Sequence, residues 1–158
     1  MYIIDGHNLL HAILKMDEQF EPVNDVQMCR IIDQYLHLTN QKGELIFDGT
    51  GPSDKSAFDN VSHLEVFFAG IRSDADTVIE DKIRVNSAPR RLFIVSSDKR
   101  LRKAAHARKA VSIKSEEFWI NIHKELNKKR PPREPGAKRQ GLSESETEQW
   151  LDIFGMNQ

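Results

Sequence analysis

Along the chain, apolar positions alternate between short unbroken runs and spacings of three and four. Runs rich in β-branched and aromatic residues fall at 2–4 (YII), 44–47 (ELIF), 63–70 (HLEVFFAG), 91–96 (RLFIVS) and 110–113 (AVSI). Each has the length and composition of a buried strand. Between them, 24–39 sets Val26, Cys29, Ile32, Leu36 and Thr39 three or four apart behind Asn24, a good N-cap. The stretch 74–85 aligns Val78, Ile79 and Ile83, and 98–110 is Ala-rich and strongly basic. Over 115–129, Phe118, Trp119, Ile122 and Leu126 share a face, with Ser115 as cap. Strand and helix alternating at this interval predict a parallel sheet flanked by helices. Taken alone, Asp5-Gly6-His7-Asn8 after the first strand predicts a turn, because Asp-Gly is a turn dipeptide and Asn tolerates left-handed backbone.

The pattern divides the chain in three. A folded body spans 1–126. Residues 127–141 hold three prolines, two glycines and six Lys/Arg against one acid, the composition of an extended basic linker. Residues 142–158 restart with a capping box from Ser143 to Glu146, gather Trp150, Leu151, Ile153 and Phe154, and stop at Gly155. This reads as an acidic amphipathic helix that docks on the body or on a protein partner.

Composition narrows the class. With 39% hydrophobic and 30% charged residues the sequence describes a soluble globular protein, and the net charge of −1 conceals local asymmetry. The single cysteine, Cys29, excludes an internal disulfide and a Cys-based zinc site. No apolar run approaches the roughly 20 residues of a membrane helix, and the start lacks the basic region of a signal peptide. A cytoplasmic protein without membrane partners is expected.

The candidate chemistry lies in the aspartates. Asp5 ends the first strand, Asp48 follows the second, Asp98 follows the fourth, and Asp74 and Asp76 open a helix after the third. In a parallel sheet all strand C-termini share one edge, where ligand crevices form. Singly, each acid has a plain reading as a turn residue, an N-cap or a helix-start charge. Together they would repel unless a cation lay among them, and hard oxygen donors suit Mg²⁺ or Mn²⁺. Such an ion activates water and neutralises charge at a phosphoryl group. No phosphate-binding Gly-rich loop, nucleophile elbow or zinc-protease motif competes. Beside the acids, Lys99, Arg100, Arg102, Lys103, Arg108 and Lys109 lie in a stretch with no acid after Asp98. This suits a phosphodiester backbone, whereas a merely solvated face normally mixes signs.

The segments YIIDGHNLLH, LIFDGTGP, SDADTVIEDKI and FIVSSDKRLRKAA resemble the NYN domains of the PIN-like nuclease superfamily, above all the YacP-like branch, over roughly residues 1–125. The resemblance implies a PIN-like three-layer α/β/α sandwich with a mainly parallel sheet of about five strands, acting as a metal-dependent endoribonuclease. It places the catalytic, metal-binding acids at Asp5, Asp48, Asp76 and Asp98 and the signature asparagine at Asn8. His7 stands where an aromatic residue is common, and Asp74 is an extra acid that leaves the helix-start ligand open between Asp74 and Asp76.

Asn8, His7, Arg100, Arg102 and Lys103 are the expected substrate contacts. Glu80 and Asp81 read as exposed helix positions, the alternative being support of the metal shell one turn after Asp76, residues 50–53 as a substrate-facing loop, and Phe118 and Trp119 as core. The other histidines lack ligand spacing. The alternative is a non-catalytic RNA- or ribosome-binding module with a structural ion, which gains nothing from four repelling carboxylates. A receiver-like phosphotransfer domain would need a late lysine after a strand, and Lys114 is the only candidate.

Overall fold

The five apolar runs become the five strands of one sheet. β1 (Tyr2–Asp5), β2 (Gly43–Phe47), β3 (Leu64–Phe68), β4 (Phe93–Val95) and β5 (Val111–Ile113) pair in the order β3-β2-β1-β4-β5, every pair parallel. Parallel neighbours cannot be joined by hairpins: α1 (Gly6–Lys15) and α2 (Asp25–Leu38) join β1 to β2, α3 (Ala75–Val85) joins β3 to β4, α4 (Lys99–Ala107) joins β4 to β5, the β2–β3 connection carries only the 3₁₀ turn Ser56–Phe58, and α5 (Ser115–Lys128) follows β5. The computed structural model describes residues 1–128. The chain divides into the units Met1–Glu125 and Leu126–Gln158; of the expected linker 127–141, Asn127 and Lys128 are the end of α5, and the rest lies, with the expected acidic helix, outside the described residues.

Two local expectations are corrected. Asp5-Gly6-His7-Asn8 is the start of α1 and not a turn. Asp5 is its N-cap, and Leu9, Ala12 and Ile13 bury its inner face. Gly6 serves close approach rather than chain reversal: a Cβ there would lie 2.7 Å from Phe47 and 2.8 Å from Leu45 of β2. Ser115 does not cap α5 but is its first residue, wholly buried, with its hydroxyl donating to Asn8 Oδ1 at 2.6 Å. Asn24 caps α2 as expected, in a reciprocal capping box with Gln27.

The sheet buries both faces. On one, Ile3, Ile46 and Ile94 pack with Ile79 and Ile83 of α3 and Leu101 and Ala105 of α4. On the other, Tyr2 stacks on Phe93 at 4.8 Å and meets Tyr35 of α2 and Phe118 of α5 at 6.1 and 5.5 Å between ring centroids. Phe118 and Trp119 are core, each 1% exposed, and a large side chain so buried contributes on the order of 1.5–3 kcal/mol. Cys29 is buried and its thiol is pushed up to about 12, which makes it inert. Among the described residues no helix is long and apolar enough to cross a membrane. Because every strand runs the same way, the ends of β1, β2 and β4 meet on one edge, where Asp5 lies in register with Ile46.

Candidate functional site: an acidic edge

Asp5, the last residue of β1, is only 5% exposed. Its Oδ2 accepts the Ser96 hydroxyl at 3.2 Å, and its Oδ1 accepts the Asn8 N–H at a long 3.5 Å. One residue past β2, Asp48 Oδ1 accepts the Ala75 N–H at 2.7 Å, which fixes the start of α3 to the end of β2. Asp98 is the N-cap of α4, with Oδ1 accepting from Arg100 N–H at 2.8 Å and Leu101 N–H at 3.4 Å. Ser96 links two of these acids: while donating to Asp5, its oxygen accepts the Asp98 N–H at 3.1 Å. Sequence reasoning missed Ser96, because a serine after a strand carries no signal of which acid it will reach.

Electrostatics separates the two acids at the start of α3. Asp74 is the N-cap; its Oδ1 accepts the Thr77 N–H at 2.7 Å, and that bonding to Thr77 holds its carboxyl below the usual range. Asp76, in the first turn, is raised by partial burial and then by the charge of Asp98, with Asp74 and Asp48 adding and Arg100 opposing. Burial, and after it the charge of Asp76, pushes Asp5 up to about 6, against the opposing hydrogen bonds from Ser96 and Asn8. Asp5, Asp48, Asp76 and Asp98 therefore share one electrostatic neighbourhood. Asp74 adds its charge at Asp76 and, like Asp98, gives one carboxylate oxygen to a helix start. Among the described residues, no three His, Cys, Asp or Glu side chains converge into a set that could by itself hold a metal ion. The donors are hard carboxylate oxygens, the type that Mg²⁺ and Mn²⁺ take, but the ligand set is not closed.

The expected substrate contacts fare differently. His7 is half-exposed beside Asp48, its ring 5.1 Å from that of Phe47. Its Nδ1 accepts the Asp48 N–H at 3.1 Å and also lies 3.5 Å from Asp48 Oδ2. A ring nitrogen that accepts carries no proton, so the second contact is not an ion pair, and the proton sits on Nε2. Asn8 uses its Oδ1 within the protein, accepting from Ser97 N–H at 3.0 Å and from the Ser115 hydroxyl. Arg100 reaches across to α3. Its Nε and Nη2 both contact Glu80, the latter at 3.2 Å, and Nη2 also lies 3.4 Å from Thr77 Oγ1. Glu80 is thus the partner of Arg100, while Asp81 pairs with Arg84 one turn on, at 2.8 Å. The buried Nε of Arg102 has no partner among the described residues. Arg100 and Arg102 lie about 200° apart around α4, so the predicted basic trio does not form one face. Lys103 is exposed, one turn from Arg100.

A family model described as the YacP-like NYN domain matches residues 2–154. The crystal structure of Rae1 (YacP) from Bacillus subtilis is similar with a TM-score of 0.69 at 18% identity, over 98% of this chain and 92% of that one. Its W164L mutant gives 0.63 at 17% identity, over 80% and 77%. At these identities the likeness is one of fold. No curated protein matches the sequence.

Proposed function

This chain belongs to the YacP-like NYN domain family, a family of the nuclease type, and from that premise we propose that it is a divalent-metal-dependent endoribonuclease. The observation that carries the reading is the convergence of strand ends and a helix start on one edge, where Asp5 and Asp76 are held above the usual carboxylate range first by burial and then by neighbouring carboxylates. In this reading Asp5, Asp48, Asp76 and Asp98 hold Mg²⁺ or Mn²⁺, and Asp74 serves the helix. Mg²⁺ keeps several of its own waters, so a site short of three converging protein ligands suits it. When bound, the ion supplies an activated water and neutralises charge on a phosphoryl group.

The remaining residues have supporting roles. Ser96 holds Asp5 and the Asp98 backbone in mutual register. His7, with its proton on Nε2, and exposed Lys103 provide donors for phosphate oxygens. Arg100 balances part of the negative field at Asp76.

The test is to incubate the purified chain with structured and unstructured RNA in Mn²⁺, Mg²⁺ or EDTA. Internal cleavage that EDTA abolishes is expected. RNA binding with no cleavage in either metal would overturn the enzymatic reading in favour of a binding module.

A further inference from the structure

The acidic edge is tied to a helix that supplies none of its four aspartates. The β4–α4 connection that presents Asp98 consists of Ser96 and Ser97, and both serines use their hydroxyls alike. Ser96 donates to a carboxylate, Asp5, and accepts a backbone N–H, that of Asp98. Ser97 donates to the carboxylate of Glu116 at 2.7 Å and accepts the Ser115 N–H at 3.1 Å. Ser115 then donates its hydroxyl to Asn8 Oδ1 at 2.6 Å, and the same oxygen accepts the Ser97 N–H at 3.0 Å. Asn8, Ser97 and Ser115 therefore close a ring of hydrogen bonds between the first turn of α1, the loop before Asp98 and the first residue of α5. Glu116 gives the ring its direction. A hydroxyl has one proton, and the carboxylate takes that of Ser97, which leaves a lone pair for the Ser115 N–H.

We propose that the first turn of α5, through Ser115 and Glu116, positions Asp98 for the acidic site, with Ser97 and Asn8 as the intermediaries. Neither Ser115 nor Glu116 contacts the carboxylates; both are positioning residues. The inference rests on reading the edge as a metal-dependent nuclease site. The lowered ionisation of Glu116, due first to its bond from Ser97, agrees with a carboxylate that stays charged in this role. Outer partners of metal ligands commonly set both the affinity for the ion and the turnover.

The test uses the full chain with Ser115→Ala, Glu116→Ala, the conservative Glu116→Gln, and Glu117→Ala at an exposed neighbour as comparator. Mn²⁺ binding without RNA is read by electron paramagnetic resonance, cleavage is resolved into kcat and KM, and amide hydrogen exchange is followed at Ser97 and Asp98. The two Ala variants at 115 and 116 should weaken Mn²⁺ binding about tenfold and lower kcat about 10- to 100-fold, with KM nearly unchanged. Exchange at Ser97 and Asp98 should quicken. Gln at 116 keeps an acceptor for Ser97 and should restore most of the loss, and Glu117→Ala should match the unsubstituted chain.

Unchanged exchange at both amides in the two Ala variants overturns the latch. Faster exchange with unaltered Mn²⁺ binding and kcat overturns its positioning role. If the unsubstituted chain neither binds Mn²⁺ nor cleaves RNA, the nuclease reading falls and exchange alone decides the latch. Should the buried Ser115→Ala fail to fold, the half-buried Glu116→Ala carries the test.

Discussion

The two ends of the same sheet treat charge in opposite ways. Toward the amino ends of the strands, charges meet partners. Lys82 pairs with Glu44 at 2.7 Å and lies 4.5 Å over the Phe67 ring. Asp33 accepts the N–H groups of Ser62 and His63 at 3.0 and 2.7 Å, and Lys42 donates to the Ser62 carbonyl at 3.3 Å. At the carboxyl ends, Asp5, Asp48, Asp76 and Asp98 stand together, and Arg100 beside them is also bound to Glu80. One end is arranged for stability. The other accepts a local cost that a well-packed core can carry, and such a cost is expected where a ligand completes the site.

The contrast is most sharply broken by removing charge at each end in turn. Asp5→Asn or Asp98→Asn should lower RNA cleavage in saturating Mn²⁺ at least about 100-fold with the fold retained, a loss of the size seen when preorganised electrostatic groups are deleted. Lys82→Met, at the other end, should leave the initial rate nearly unchanged. Full metal-dependent activity in both Asn variants would remove the acids from the mechanism.

Stability should move the opposite way. In EDTA at pH 8, Asp5→Asn should raise the urea-unfolding free energy by on the order of 2–3 kcal/mol, since each pKa unit is worth about 1.4 kcal/mol. Lys82→Met, which strands a partly buried Glu44, should lower it by about 1–3 kcal/mol. A loss of stability in both variants would erase the difference between the ends.

The pH dependence refines the same measurement. Asp5 has a folded value of about 6 against an ordinary 3.8, so between these values the folded state binds more protons than the unfolded one. Its contribution to stability therefore falls as pH rises through that window, and the deficit is complete above it. The gain from Asp5→Asn should be near zero at pH 4 and reach its full size above pH 7. A gain independent of pH would mean that charge is not its origin.

The smallest effects concern RNA affinity. Arg100→Gln and Lys103→Gln should each reduce the salt slope of binding by up to about one. Arg102→Gln should alter it less, since its Nε is buried. Equal losses at all three would restore the single basic face that the helix geometry divides.

The fold was largely legible because five β-branched and aromatic runs, most of them separated by helix-like stretches, leave few other arrangements. α1 was not, because Asp-Gly looks like a turn and the buried positions Leu9, Ala12 and Ile13 come only after it. What marks Gly6 as a packing residue is the ring of Phe47, 41 positions further along, which no local pattern reveals. The acids were legible for a topological reason: a residue at the end of a parallel strand must lie on the common edge. That Asp74, and not Asp76, accepts the Thr77 N–H was not legible, since either acid could cap the helix. The serines were illegible, because Ser96, Ser97 and Ser115 take their meaning from partners 91, 19 and 107 residues away.

The central position of β1 bears on how the chain comes to be folded at all. The first of the five strands in sequence sits between β2 and β4, so one flank of Ile3 and Ile4 waits for a neighbour that is synthesised much later. The bond from Ser96 to Asp5 closes a span of 91 residues, which at about 5–20 residues per second corresponds to about 5–20 seconds of translation. Closure of so long a span has to precede the contacts that reward it. A nascent chain that stops before β4 therefore leaves Asp5 without the Ser96 hydroxyl, while the charges of Asp48 and Asp76 that act on it are already in the chain.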